Sequence, residues 1–155
     1  LIDTKFSADT PEARANRADL AATVGRVGQH VLADAMVPNL LGTTDAARSK
    51  PERPANEEFL RKLISEQSVV TIQAALRALA DRPDMSEPMQ HLKKPVLLIC
   101  GSEDTITPPA VMESMEKILS EGHLLIVPEA GHLVPLEAPV VFYEAVRSFL
   151  DLPIG

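Results

Sequence analysis

Two ionisable residues, Asp104 and His132, each follow an apolar run that is typical of a buried β-strand. Asp104 comes shortly after the run 95–100, and His132 comes shortly after the run 124–127. A carboxylate that accepts a hydrogen bond from a histidine ring fixes the tautomer of the imidazole and stabilises the imidazolium that forms on proton uptake. The pair therefore has the chemistry of the acid and the base of a nucleophilic catalytic triad.

The order of elements predicts that these two residues are neighbours. The run 95–100 stops at Gly101, a helical stripe follows the cap-plus-proline signal Thr107–Pro108, and the second apolar run comes next. This strand–helix–strand order is typical of a parallel sheet, in which ligands bind beyond the carboxyl ends of the strands. Asp104 and His132 are 28 positions apart, about one such repeat, so we expect their loops to lie side by side.

The first half of the chain reads as helices without an intervening strand. Thr10, followed by a proline and a glutamate, predicts a helix start, and an apolar stripe continues to Pro38, which is expected to end that region. A polar connection then leads to Asn56, the predicted start of the next helix, and a polar break at 65–68 precedes another stripe. The sequence thus predicts three or four helices over 11–81.

These segments resemble the C-terminal half of an α/β-hydrolase. The stretch 96–109 is similar to the acid-bearing strand and loop of that family, and 126–139 is similar to its histidine loop and the start of its last helix. The resemblance implies an α/β fold: the C-terminal portion of the parallel sheet of the α/β-hydrolase fold, with an inserted helical lid. On this reading 1–10 is a strand end and loop, 11–90 is the lid, and 91–155 is a strand–helix–strand–helix unit.

The family's nucleophile has no counterpart in this sequence. A G-x-S-x-G motif needs two glycines four positions apart, and no pair has that separation. The glycines are residues 25, 28, 42, 101, 122, 131 and 155. We therefore expect the serine and the oxyanion-hole donors to lie in an N-terminal half of the same domain, outside this chain. Leu1–Ile2 is interpreted as the tail of a strand, so the chain reads as a fragment that is inactive by itself.

The resemblance implies a serine hydrolase acting on a small-molecule carboxylic ester, a lactone or a related acyl bond. His132 would be the general base and acid, Asp104 would orient it, and neither a metal nor an organic cofactor is expected. Carboxylesterases and enol-lactonases are the members that this sequence resembles most in its general sequence pattern. Two alternatives remain open: a haloperoxidase- or dehalogenase-like member, and a non-catalytic member that binds a ligand in the same pocket.

Several acidic residues compete with Asp104 for the role of the acid. Asp3 would follow the preceding strand, where some family members keep their acid, and Glu103 is adjacent but expected to be solvated. Asp104 itself could simply cap a turn. Glu137 is expected to help start the last helix through the helix dipole. The remaining histidines, His30, His91 and His123, are interpreted as ordinary surface or interface residues.

Apolar side chains of the helical stretch are candidates for an acyl pocket, although such stripes also form core. The candidates are Leu40, Phe59, Val69 and Ile72. Cys100 ends a predicted buried strand and is expected to be inert.

Composition narrows the classes of partner. The net charge is −7 and the basic residues are scattered, which argues against a nucleic-acid surface. No apolar run approaches the roughly 20 residues that span a bilayer, so no membrane span is expected. A single cysteine favours a reducing compartment such as the cytoplasm.

Overall fold

A computed structural model describes residues 1–150, so the last five positions of the predicted unit 91–155 lie outside the described residues. Within this range two parallel strands follow a series of six helices and alternate with three more. The elements are α1 (Pro11–Val27), α2 (His30–Leu40), α3 (Asp45–Arg48), α4 (Arg53–Ser65), α5 (Val69–Ala80), α6 (Ser86–Gln90), β1 (Val96–Gly101), α7 (Pro109–Ile118), β2 (Gly122–Val127), α8 (Val134–Glu137) and α9 (Pro139–Leu150).

Strand β1 has a backbone partner on each side within the described residues. It pairs in parallel with β2, and on its other side Ile2 forms a parallel bridge with Ile99. The segment Leu1–Ile2, which is interpreted from its sequence as a strand tail, thus makes a single backbone bridge to β1. Strand β1 is buried as expected, with Leu98 and Ile99 at most 1% exposed. The prediction that β2 is equally buried is wrong for this chain, because β2 lies at an edge and Ile126 is 37% exposed.

The helical half begins as predicted and then departs from the prediction. The Thr10 hydroxyl accepts a hydrogen bond from Ala13 N and caps α1, which ends at Gly28 with φ +95°. Pro38 does not end the following region, because α2 continues through it to Leu40. The burial of Val37 and Leu40 outweighs the hydrogen bond that the proline removes.

The connection between α2 and α4 is more regular than its composition indicates. It contains α3, which is capped by the Thr44 hydroxyl accepting from Ala47 N at 3.3 Å. Helix α4 begins at Arg53 instead of the predicted Asn56, with Pro54 in its first turn. Proline suits that turn because the first helical N–H groups have no partner within the helix.

The helical half packs against the loop that carries His132. Buried residues of α2 and α4, with Leu41, form one cluster, onto which Leu133 and Leu136 pack. A second cluster joins α1 to α5 and contains Val24 and Leu76. None of the helices within 1–150 combines the length and the apolarity needed to cross a bilayer.

Candidate active site

The side chains of Asp104 and His132 form a hydrogen-bonded pair. Asp104 Oδ2 and His132 Nδ1 are 2.9 Å apart. The register of the sheet places Gly101 beside Val127, so the loops that leave the two strands are adjacent, and the predicted proximity is confirmed. The Asp104 side chain is 0% exposed and the His132 side chain 21%, so the acid is enclosed while the histidine remains accessible.

A turn directly after β1 holds the Asp104 carboxylate. Its Oδ1 accepts hydrogen bonds from Ile106 N at 2.8 Å and Thr107 N at 2.9 Å, and its Oδ2 accepts from the Thr107 hydroxyl at 2.6 Å. Thr107 does not cap α7 as its sequence context predicts, since α7 starts at Pro109 with Pro108 as its N-cap. Its hydroxyl also lies 3.3 Å from His132 Nδ1. The sequence signal that could have identified Thr107 as a partner of Asp104 is its hydroxyl, which comes three positions after the carboxylate.

Hydrogen bonding sets the protonation of the pair. Burial tends to raise the pKa of Asp104, but hydrogen bonds from His132 and Thr107 outweigh burial and lower that pKa below its ordinary value. Burial likewise tends to lower the pKa of His132, but the hydrogen bond and the charge of Asp104 raise it overall. An ionised Asp104 thus favours the imidazolium form of His132, the form that a general base reaches on taking a proton.

Asp3, the rival acid, lies close to the pair but bonds elsewhere. Its carboxylate accepts hydrogen bonds from Gly101 N and Val134 N, each at 3.3 Å. Burial raises the pKa of Asp3 to about 6, in spite of these two hydrogen bonds. Asp3 thus links the two loops, and its charge adds to the factors that raise the pKa of His132.

Glu103 is not the solvated residue that the sequence predicts. Its Oε2 accepts hydrogen bonds from Thr43 N at 2.6 Å and Thr44 N at 2.8 Å, and its Oε1 accepts from the Thr44 hydroxyl at 2.7 Å. Burial tends to raise the pKa of Glu103, but these bonds lower it overall. Glu103 therefore fastens the turn that follows α2 to the loop of Asp104.

Glu137 braces the histidine loop, and the prediction that it starts the last helix is wrong. It is the final residue of α8, whereas α9 begins at Pro139. Its carboxylate accepts one hydrogen bond from Gly42 N and one from Gly131 N, each at 2.7 Å. The residue before His132 is thereby tied to the same turn that Glu103 holds.

The backbone at Gly131 passes so close to the backbone of Leu41 and Gly42 that only a glycine fits. A Cβ at this position would lie 2.5 Å from the carbonyl carbon of Leu41 and 2.6 Å from Gly42 N. His132 N then donates a hydrogen bond to Leu40 O at 2.9 Å. Helix α2 and the histidine loop thus meet backbone to backbone, which fixes where the imidazole stands.

A cavity of ≈ 280 Å³ opens at the pair. It is lined by Asp3, Thr4, Lys5, Arg17, Met36, Leu40, Leu79, Arg82, Ile106, Thr107 and His132. Of the four predicted pocket residues, Leu40 lines this cavity. Phe59 is 52% exposed, and Val69 and Ile72 belong to the cluster between α1 and α5.

The other predicted residues lie away from this cavity or take no part in its chemistry. His30, His91 and His123 are exposed. Burial and the neighbouring carboxylates raise the pKa of Cys100 to about 12, which fits the prediction of an inert thiol. Potential metal-ligand atoms of Asp3, Cys100 and Asp104 lie within 4.8 Å of one another. Both carboxylates already accept hydrogen bonds and the thiol stays protonated, so the donor set does not fit a cation site.

Comparison with known proteins identifies the family. A family profile described as alpha/beta hydrolase fold matches residues 21–139. A pimeloyl–acyl-carrier protein methyl ester esterase of Neisseria meningitidis is 34% identical over 88 residues, which cover 54% of this chain and 28% of that protein.

Two solved structures are similar over nearly all of the chain. An esterase of Thermogutta terrifontis, solved with malate bound, matches 100% of this chain and 56% of its own, with a TM-score of 0.91 and 32% identity. An enol-lactonase of Burkholderia xenovorans matches 97% of this chain and 54% of its own, with a TM-score of 0.82 and 22% identity. The chain thus spans about half the length of these structural relatives. Because the family profile covers most of the sequence and the fold agrees with it, the chain belongs to the alpha/beta hydrolase fold family.

Proposed function

We propose that the complete gene product hydrolyses a small carboxylic ester, a lactone or a related acyl bond through a Ser–His–Asp triad. This chain would supply Asp104 and His132. The observation that carries the proposal is their 2.9 Å hydrogen bond at the edge of a cavity. The esterases and the enol-lactonase among the similar proteins support the reaction class.

His132 would move the proton in both halves of the reaction. With Nδ1 bonded to Asp104, Nε2 would accept the proton of the serine hydroxyl as its oxygen attacks the acyl carbon. The imidazolium would then donate that proton to the departing alkoxide, leaving an acyl-enzyme. Water would be deprotonated in the same way, and its oxygen would displace the serine to release the acid.

The serine and the oxyanion-hole donors would come from residues outside this chain, since no two of its glycines have the G-x-S-x-G spacing. An apolar groove lies along β1 and is lined in part by Leu1, Leu97, Val146 and Phe149. An N-terminal half of the same domain would cover this groove with further strands.

The segment 11–90 would act as a lid. Arg17 in α1, Met36 and Leu40 in α2, and Leu79 in α5 all line the cavity that contains His132. Segments 1–10 and 91–155 would then belong to the core on which the lid rests. Such an arrangement would exclude water from the acyl group while the serine ester forms.

The test is labelling of the complete gene product with a fluorophosphonate, together with hydrolysis of short methyl esters. We expect the label on one serine outside this chain, and we expect His132→Ala to abolish both labelling and turnover. The exposed His91 provides the control, because His91→Ala should retain both activities.

Other results of this test would each favour one of the alternative functions. An unlabelled product that turns over no ester but binds a ligand in this cavity would favour the non-catalytic member. Halide release from a haloalkane, with a covalent ester on an aspartate, would favour the dehalogenase-like member. Either result would overturn the proposed ester hydrolysis.

A further inference from the structure

Three cationic side chains line the same cavity as His132: Lys5, Arg17 and Arg82. All three pair with the carboxylate of Asp9. Lys5 Nζ and Arg82 Nη2 each approach Asp9 Oδ1, at 2.8 Å and 2.7 Å, and Arg17 Nε bonds to Oδ2. The Asp9 side chain is 0% exposed, so this carboxylate lies behind the cations and holds them in place.

The cluster has more positive charge than Asp9 neutralises. Three cations share one carboxylate, and their side chains stay 23–27% exposed, so their outer donors remain accessible. Arg82 Nε is buried and has no hydrogen-bond partner within the part of the chain that the structure describes. A buried guanidinium donor without an acceptor is costly, so the hydrogen-bonding capacity of Arg82 is not fully satisfied by Asp9.

The carboxylates of Asp3 and Asp104 bond to groups outside the cationic cluster. Asp3 lies at the cavity, but its carboxylate oxygens accept hydrogen bonds from Gly101 N and Val134 N. Asp104 is paired with His132. The cavity therefore offers a cationic cluster, while Met36, Leu40, Leu79 and Ile106 provide apolar lining.

We propose that Lys5, Arg17 and Arg82 form a subsite for a carboxylate of the substrate. This inference rests on the proposed function and specifies its substrate class: half-esters of short dicarboxylic acids, or lactones that carry a carboxylate. Guanidinium groups bind carboxylates through paired, charge-assisted hydrogen bonds. A cavity of ≈ 280 Å³ suits a short acyl chain, with the ester at His132 and the carboxylate at the cationic cluster.

The test compares two substrates on the complete gene product. Monomethyl glutarate and the methyl ester of glutaric acid monoamide share the ester and nearly the same shape, but only the first has a carboxylate at the far end. We expect a higher kcat/KM for the carboxylate. Arg82→Gln and Arg17→Gln should each reduce that preference about 10- to 100-fold, the range expected for a lost charged hydrogen bond, with much smaller changes for the amide.

Matched controls lie in the helix that carries Arg17 and in the helix that ends just before Arg82. Arg77→Gln in α5 and Arg26→Gln in α1 remove exposed charges from outside the cavity lining, so they should leave the preference unchanged. Arg82→Lys retains the charge and should recover part of the preference. That rescue separates loss of the subsite from misfolding around Asp9.

Direct binding of glutarate separates this inference from the proposed function. Calorimetry should detect glutarate, and Arg82→Gln should weaken its binding about 10-fold or more. Hydrolysis of the amide ester without any preference for the carboxylate would overturn the subsite and leave the hydrolase intact. Glutarate binding that depends on Arg82, without turnover of either ester, would uphold the subsite and overturn the hydrolase.

Discussion

At the scale of single residues, the hydroxyl of Thr107 completes the site. It donates to Asp104 Oδ2 at 2.6 Å, the same oxygen that lies 2.9 Å from His132 Nδ1. The hydroxyl supports the ionised carboxylate and fixes the oxygen that orients the imidazole. In the proposed triad Thr107 would be a positioning residue, since it would act through Asp104.

Thr107→Val keeps the shape of the side chain and removes this donor. We expect kcat/KM for ester hydrolysis to fall about 10-fold, the effect of one charged hydrogen bond. Thr107→Ser restores the donor and should recover most of the activity in steady-state assays. Full activity of Thr107→Val would show that this hydrogen bond does not matter.

The pair also predicts a pH dependence. The pKa of His132 is raised above its ordinary 6.5, chiefly because its hydrogen bond to Asp104 and the charge of Asp104 outweigh burial. A general base must be neutral, so kcat/KM should fall as the pH drops through this pKa, with a midpoint above 6.5.

Asp104→Asn removes the charge that favours the imidazolium. The midpoint of the pH profile should therefore move to lower pH in this variant, while the maximal rate falls about 10³-fold or more. The measurement is kcat/KM from pH 5 to 9 for both proteins. A midpoint that stays in place would mean that the profile reports a group other than His132.

At the scale of elements, Glu137 joins three segments. Its two carboxylate oxygens accept hydrogen bonds from the turn after α2 and from the residue before His132. A glutamine has one carbonyl oxygen, so Glu137→Gln leaves one of these N–H groups facing an amide donor. The free energy of unfolding should decrease by about 1–3 kcal/mol, the cost of an unsatisfied, partly buried donor.

Chemical denaturation of the complete gene product measures this loss. Glu144 provides the control, because it is exposed in α9 and Glu144→Gln should change stability by less than about 0.5 kcal/mol. Ester hydrolysis should fall with Glu137→Gln as well, since Gly131 N would lose its anchor. Equal stability of the two variants would contradict the bracing role.

The features that could be predicted from the sequence are those that depend on local patterns of apolar and polar residues. The apolar runs at 95–100 and 124–127 predicted both strands, and parallel geometry then predicted that Asp104 and His132 meet. Contacts between distant segments have no local pattern in the sequence, so they could not be predicted from it. Glu137 accepts from Gly42, 95 positions away, because the turn after α2 has backbone donors that no helix satisfies.

Tertiary packing also overrode local signals. Pro38 usually marks a helix end, yet α2 continues because Val37 and Leu40 bury their side chains. Thr107 followed by proline is typical of a helix cap, yet its hydroxyl bonds to the carboxylate of Asp104, three positions earlier. The local sequence determines which hydrogen-bonding and apolar groups are available. The packing of the loops and helices determines which partner each group contacts.

At the scale of the molecule, some apolar side chains are buried in the core and others are exposed on α9. Leu98 and Ile99 of β1 are at most 1% exposed, whereas Val140, Tyr143 and Leu150 of α9 are each more than 60% exposed. The groove along β1 lies beside this helix and is lined by Leu1, Leu97 and Phe149 among others. Exposed apolar faces of this extent are typical of surfaces that pack against another part of a fold.

These observations lead to a prediction about the chain in isolation. The chain 1–155 contains the proposed acid and base but has no G-x-S-x-G motif, so it should hydrolyse esters no faster than a His132→Ala control. Mixing it with a separately produced polypeptide that carries the remaining strands and the serine should restore turnover, and Ile2→Asp, which charges an exposed part of the groove, should prevent that recovery. The assay is hydrolysis of a chromogenic short-chain ester before and after mixing. Turnover by the isolated chain that His132→Ala abolishes would show that a nucleophile within 1–155 completes the site, and the triad proposed above would then be wrong.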